Sequence, residues 1–288
     1  MSNEETLTIL ACQIQIPQTN SAKERDEHLS QSTKWVSDEL AARPADLVVL
    51  PELSSIDYSR AAFSRLDEIA EPLDGASFQA WRSVAQEFRV FVSYSFARRG
   101  AGGNYISVAV VGPDGNLVGH YDKLHLAQYG ASMEKEYFER GAHLMTYDVR
   151  GFKIAPIICY DIRIPELCRT LAVEKGVDLI THCGAYYRDE SFHTWHSFAT
   201  TRALENQVFL LSLNRAGDQY GNSLFCWPWM DENKGPVTFL QHEETFKYIT
   251  LDRDDLNQAR SNYSFLKDRL EDYNGLPFLA GSRSPSAS

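Results

Sequence analysis

The chain has 288 residues, 43% of them hydrophobic, and a formal net charge of −11. That length suits one large α/β domain or two small ones, the apolar fraction suffices for a sizeable core, and the acidic balance argues against a general nucleic-acid binder, which needs a basic face for phosphate. No window of about 18 apolar residues exists to span a membrane, and the N-terminal MSNEETLTILACQIQ has neither a basic n-region nor a long apolar stretch, so a signal peptide is not expected and the cytosol is the expected location.

Strand-like and helix-like segments alternate along the chain. Leu7–Gln15 reads as a buried first strand, Ala22–Ala42 as a polar helix with apolar punctuation, and Asp46–Leu50 as a short β-branched strand stopped by Pro51. Phe78–Phe88 reads as a helix and Val90–Phe96 as a strand. Tyr105–Val111 and Leu117–Tyr121 flank Pro113-Asp114-Gly115-Asn116, a strong hairpin turn. Lys153–Cys159 is a strand, and Pro165–Lys175 a helix with proline in its first turn and Gly176 as its stop. Asp178–His182, Val208–Leu213 and Tyr248–Asp252 are strands, with helices at Thr194–Glu205 and Leu256–Leu270. The pattern predicts a single α/β domain over residues 1–280 whose core is two sheets sandwiched between helices. The Ser-rich tail Gly281–Ser288 is expected to be disordered.

The five cysteines, Cys12, Cys159, Cys168, Cys183 and Cys226, are odd in number and irregular in spacing, with no CxxC. Neither a disulfide framework nor a zinc knuckle is suggested. Context must single one out. Cys159 ends a predicted strand just before a helix, and Glu52 and Lys123 also follow predicted strands, where loops form ligand-binding crevices. These residue types suit attack on an amide carbon. A thiol is a strong nucleophile once a nearby carboxylate takes its proton. An ammonium and the backbone N–H of Tyr160 can hold the oxyanion that forms. Each residue alone also reads as a solvated loop charge or a core thiol, and spacing does not show that the three meet.

Three blocks add to this. LVVLPELS carries Glu52, GHYDKLHL carries Lys123 and IICYDIRIPEL carries Cys159. In this order they resemble the nitrilase, or carbon–nitrogen hydrolase, superfamily. The resemblance implies a four-layer αββα sandwich, catalytic roles for Glu52, Lys123 and Cys159, and a second glutamate at Glu134 that positions the lysine and substrate. It also implies a homodimer or larger homo-oligomer and no metal or organic cofactor. Cys159-Tyr160-Asp161-Ile162-Arg163 looks like the ω-amidase and Nit branch, where true nitrilases carry Trp-Glu after the cysteine. The expected substrate is therefore a small amide, with an N-carbamoyl compound as the alternative. Tyr160, Arg163 and Tyr186 are the expected substrate-binding residues. Arg163 suits a substrate carboxylate, or else a structural ion pair with Asp161 or Glu166. THCGAYY, Thr181–Tyr187, and the aromatic run around Trp227 and Trp229 depart from the family pattern.

Three rivals stand beside this reading. His193 and His196, with His182 and Cys183 nearby, offer nitrogen and sulfur ligands for zinc, but no acidic base is spaced as in HExxH. Cys183 with a distant histidine offers a papain-like pair without a local signature. The third is a binding protein that keeps the fold without the chemistry.

Overall fold

Alternation along the strands decides the layering. The computed structural model describes residues 5–279, so the Gly281–Ser288 tail lies outside the described residues. In β1 (Thr6–Gln13), Leu7, Ile9 and Ala11 face one way and Leu10 and Cys12 the other, and both sets are buried. A strand covered on both faces reads as a continuous apolar run, as this one does.

Helix α1 (Ala22–Ala42) begins at Ser21, whose hydroxyl accepts from the Glu24 N–H and so satisfies one orphan donor of the first turn. Then come β2 (Leu47–Val49), the short helices α2 (Arg60–Phe63) and α3 (Leu66–Ile69), α4 (Ala76–Phe88), β3 (Phe91–Gly100), β4 (Gly103–Val111) and β5 (Leu117–Asp122). The predicted hairpin joins β4 and β5. Gly115 takes the positive φ of 79° that the turn needs, and the Asp114 carboxylate accepts from the Asn116 N–H. The second half holds β6 (Tyr147–Val149), β7 (Phe152–Ile158), α5 (Pro165–Arg169), β8 (Leu179–Cys183), α6 (Phe192–Asn206), β9 (Phe209–Leu213), β10 (Leu224–Cys226), β11 (Val237–Thr238), β12 (Thr245–Asp252), α7 (Arg253–Asn262) and α8 (Phe265–Asp268).

Two six-stranded sheets result, ordered β12-β1-β2-β3-β4-β5 and β11-β10-β9-β8-β7-β6. Strands β1–β3 are parallel, as are β7–β9, and antiparallel strands flank each trio. Between the sheets, Leu7, Ile9 and Val49 pack with Ile154, Ile158, Leu179, Phe209 and Leu211. Outside the first sheet, Leu10 and Cys12 meet Val36 of α1 and Trp81 of α4. Outside the second, Ala155, Ile157 and Leu210 meet Leu167 of α5 and Trp195 of α6. The fold is the expected αββα sandwich.

Two helices differ from expectation. The segment from Pro165 holds an α-helix only to Arg169 and continues as a π-helical turn over Thr170–Glu174 before Gly176. The predicted helix Leu256–Leu270 starts earlier, at Arg253, where Asp252 caps it, and breaks after Asn262. The break is tertiary in origin. The Gln207 amide donates to the carbonyls of Ala259 and Tyr263, and the Tyr263 ring stacks on Trp229 at 3.6 Å. Side chains distant in sequence thus take the terminal carbonyls that a continuing helix would use.

One buried histidine ties this frame to the loop after β2. His28 of α1 donates from Nε2 to the Ser54 carbonyl, 3.1 Å away. Burial, reinforced by the nearby Arg215 charge and opposed by this bond, lowers its pKa to about 4. A histidine whose folded pKa lies below its unfolded value of about 6.5 stabilises the fold fully above pH 6.5, and that contribution is lost as pH falls toward 4. Chemical denaturation should therefore show stability falling between pH 6.5 and 4.5. The slope should be shallower in His28→Gln, which cannot titrate there.

Candidate active site

Three chain segments converge on one buried ammonium. Glu52, two residues beyond Leu50, Lys123, just beyond β5, and Glu134 of a short 3₁₀ turn (Glu134–Glu136) are each fully buried. Lys123 Nζ lies 2.8 Å from Glu52 Oε1 and 2.6 Å from Glu134 Oε1. Burial alone would lower the lysine's pKa, but the two carboxylates raise it well above its usual value, so it is an ammonium.

The carboxylates are not equivalent. Glu134 Oε1 also accepts from the Tyr58 hydroxyl at 2.8 Å, and its Oε2 from the Ala127 N–H at 2.8 Å. Glu52 Oε2 is buried and has no hydrogen-bond partner among the described residues. The loop that carries Glu52 is held firmly. Leu53 adopts φ 47°, a left-handed conformation that costs about 1 kcal/mol or more for a non-glycine residue. The Leu53 N–H donates to Ser95 Oγ, and buried Arg215 donates to the carbonyls of Glu52, Leu53 and Ile56 at 2.8–3.0 Å. Arg215 follows β9 of the opposite sheet, so it fastens the Glu52 loop across the sandwich. On the lysine side, Gly141 donates to the Lys123 carbonyl, and a Cβ at Gly141 would sit 2.2 Å from the Asp122 carbonyl oxygen. Only glycine permits that approach.

Cys159 follows β7 directly at φ 44°, again left-handed, and opens a 3₁₀ segment, Cys159–Arg163. This strained strand-to-helix turn follows the logic of a nucleophile elbow. Of the five free cysteines, Cys159 alone is partly exposed. Burial, with Glu52's charge adding to it and Lys123 opposing, raises its pKa above the usual thiol range. The resting sulfur is therefore a thiol within electrostatic reach of the Glu52–Lys123–Glu134 cluster. Asp161 holds the turn from beneath. Its fully buried carboxylate accepts from the Ile158 N–H, the His125 N–H and the Tyr121 hydroxyl, and meets His125 Nδ1 at 2.7 Å.

The expected substrate-binding residues divide. The Tyr160 ring lies 5.4 Å from that of Tyr129 and lines a cavity of about 370 Å³ with His125, Phe138 and Arg140. Arg163 forms no pair with Asp161 or Glu166 as expected. It donates to the Thr194 hydroxyl and the Ser191 carbonyl, and its guanidinium lies over the rings of Phe198 and Tyr129. Asp161 is already saturated by its own donors. Tyr186, also expected to bind substrate, lies behind the nucleophile turn. Its hydroxyl donates to the Cys159 carbonyl at 2.8 Å and its ring stacks on Trp195, so it braces the nucleophile turn.

The rival constellations do not form. His182 meets Ser212 and the Cys159 carbonyl, while His196 meets the Asn222 carbonyl, so they do not converge as zinc ligands. Cys183 is buried in β8, with Sγ 3.8 Å from the Ile157 carbonyl. Among the described residues His120, Asp122 and His143 do cluster within 4.8 Å. However, Arg98 forks onto Asp122 at 2.9 and 2.7 Å, setting a positive guanidinium against the carboxylate that a cation would need.

The carbon-nitrogen hydrolase family model matches residues 9–260. The chain belongs to this family. It is 28% identical over 260 residues to Omega-amidase NIT2-A of Xenopus laevis, covering 86% of this chain and 91% of that protein. In structure it resembles XC1258 of Xanthomonas campestris, a CN-hydrolase superfamily protein, with a TM-score of 0.77 at 24% identity over 96% of this chain and 99% of the other. It resembles Nit3 of Saccharomyces cerevisiae, from branch 10 of the nitrilase superfamily, with a TM-score of 0.77 at 23% identity over the same shares. Tyr58, Asp161 and Arg215 escaped the sequence reading as site residues, and His182 entered it only as a candidate metal ligand. Asp161 and His182 lay inside quoted motifs, but nothing local distinguishes a buried polar anchor from a surface one.

Removing the central charge tests how tightly this family member couples the cluster to its fold. Lys123→Met leaves two buried carboxylates facing each other and should cost about 3–5 kcal/mol in urea unfolding. Lys34→Met, which breaks an exposed pair with Asp38, should cost less than about 1 kcal/mol.

Proposed function

We propose that the chain hydrolyses small linear amides through a thioester on Cys159, releasing ammonia and a carboxylic acid. The observation that carries this is the contrast between the two glutamates. Glu134 meets a donor on each oxygen, whereas Glu52 Oε2 meets none among the described residues and lies within electrostatic reach of the Cys159 thiol. A general base needs a lone pair that no donor occupies, and Glu52 Oε2 offers it.

In this reading Glu52 takes the thiol proton as Sγ attacks the amide carbon. An ammonium has three hydrogens, and Lys123 gives two to Glu52 and Glu134, leaving one for the oxyanion. The Tyr160 N–H is the second oxyanion donor. Glu52 then hands its proton to the departing ammonia, next takes one from the water that cleaves the thioester, and returns it to the Cys159 sulfur as the carboxylic acid leaves. Glu134 is a positioning residue that keeps the lysine in place. Every atom of this sequence comes from enzyme, amide and water. The name of the Xenopus relative supports an amide over a nitrile. The uncharged partners of Arg163, the Thr194 hydroxyl, the Ser191 carbonyl and the Tyr129 and Phe198 rings, support a carboxylate on the substrate's acyl group, since none of them neutralises the guanidinium. We also infer a homodimer or larger assembly, supported by the large apolar side chains exposed near the C-terminal end, including Phe265, Leu270 and Tyr273.

Ammonia release should be measured for wild type and Cys159→Ala across short amides, N-carbamoyl compounds and nitriles. Release from amides that is abolished in Cys159→Ala is expected, and release that persists in the variant would refute the assignment. Intact mass of wild type, acid-quenched during turnover of a productive amide, should show Cys159 carrying the acyl group, and Glu52→Gln, which lacks the base for attack, should show none. Arg163→Gln should raise KM about tenfold or more for an amide bearing a terminal carboxylate, with little change for a neutral amide of equal length.

A further inference from the structure

The Cys159 carbonyl oxygen is gripped by two side chains that catalysis does not otherwise use. His182 of β8 places Nε2 3.0 Å from it, and the Tyr186 hydroxyl lies 2.8 Å away. A carbonyl oxygen only accepts, so both groups must donate. That requirement fixes the histidine as the Nε2–H tautomer with a bare Nδ1. Nδ1 lies 2.7 Å from Ser212 Oγ, which must then donate to it, and Ser212 Oγ in turn accepts from the Trp195 indole N–H at 2.7 Å. The chain of donors runs one way, from Trp195 through Ser212 and His182 to the Cys159 carbonyl. Burial keeps every member in the required state. It lowers the His182 pKa to about 4 and raises the Tyr186 phenol well above its usual value.

The same indole sets the second grip. The Tyr186 ring stacks on Trp195 at 4.5 Å and 8°. The Asn214 amide clamps the Tyr186 backbone, accepting from its N–H at 2.8 Å and donating to its carbonyl at 3.0 Å. Gly184 leaves room for the ring, because a Cβ there would lie 2.6 Å from it. His182, Gly184 and Tyr186 belong to THCGAYY, the stretch that departs from the family pattern.

We infer that His182 and Tyr186 are positioning residues that aim the Tyr160 N–H at the reacting carbon's oxygen by holding the Cys159 carbonyl. The peptide between Cys159 and Tyr160 is trans, so its C=O and N–H point in opposite directions. Fixing the oxygen toward β8 fixes the N–H on the other side of the peptide plane, away from His182 and Tyr186. The same two bonds hold Cys159 in its left-handed backbone conformation. This inference rests on the proposed amide hydrolysis at Cys159 and deepens it.

The test uses variants of the full chain, beginning with His182→Phe, which keeps a ring and loses the donor, Tyr186→Phe, which loses one hydroxyl, and Gly184→Ala, which displaces the Tyr186 ring. An oxyanion donor removed outright typically costs about 10²–10³-fold in kcat, so loosening one of its two grips should cost about tenfold, with KM unchanged. The hemithioacetal formed with the aldehyde of the same acyl group places its oxygen in the oxyanion site. Its affinity should fall by the same factor as kcat, while binding of the intact amide to a Cys159→Ala background should not change. His182→Asn, which can still donate, should recover part of the loss. The inference is overturned if the folded phenylalanine variants keep wild-type kcat and aldehyde affinity, or if KM and amide binding worsen in step with kcat. Ammonia release that survives Cys159→Ala, or no release by wild type from any amide, would instead overturn the proposed function itself and this inference with it.

Discussion

Two carboxylates share one ammonium in a space without water-exposed surface, and the rest of the site is arranged around that imbalance. Removing Lys123, Glu52 and Glu134 from solvent carries a large desolvation cost, which close pairing at 2.8 and 2.6 Å offsets. Two negative charges against one positive leave the cluster unwilling to accept a third anion. This is why the neighbouring sulfur stays protonated, with burial as the leading cause and the Glu52 charge behind it. A thiol in that setting becomes a nucleophile only when its proton leaves as the new bond forms. The unfilled Oε2 of Glu52 is the group that can accept that proton.

Such a cluster has to be imposed by the fold, because its members repel or desolvate one another when brought together alone. Each comes from a different sheet edge or turn: Glu52 from beyond β2, Lys123 from beyond β5, and Cys159 from the end of β7 in the opposite sheet. The apolar layer between the sheets sets the separation. Arg215 then crosses it, tying three carbonyls of the Glu52 loop to the strand that neighbours Cys183. Backbone strain at Leu53 and Cys159, each at positive φ, persists because these bonds over-determine both turns.

The nucleophile turn is held from two sides. Asp161 fixes it from beneath through donors from Ile158, His125 and Tyr121. His182 and Tyr186 fix its carbonyl from β8 and the loop that follows. A buried carboxylate with several donors and a buried neutral imidazole with both nitrogens engaged are rigid, fully satisfied polar groups. Together they leave the Cys159–Tyr160 peptide little freedom to rotate.

The sequence by itself determined the layering and the three ordered blocks. Continuous apolar runs such as LTILACQIQ can only be strands buried on both faces, and Pro113-Asp114-Gly115-Asn116 can hardly be other than a tight turn. The blocks around Glu52, Lys123 and Cys159 pointed to the family before any contact was known. Local pattern could not determine where the last helix breaks, since Gln207 and Trp229 act on it from far along the chain. Nor could it show that Tyr186 faces a backbone carbonyl, that Arg163 has neutral partners, or that Glu52 and Glu134 differ in how many donors they meet. Propensity and periodicity are properties of neighbours in sequence. Hydrogen-bond saturation and burial of charge depend on which distant segments the two sheets bring within 3 Å of one another, and only the tertiary structure sets that.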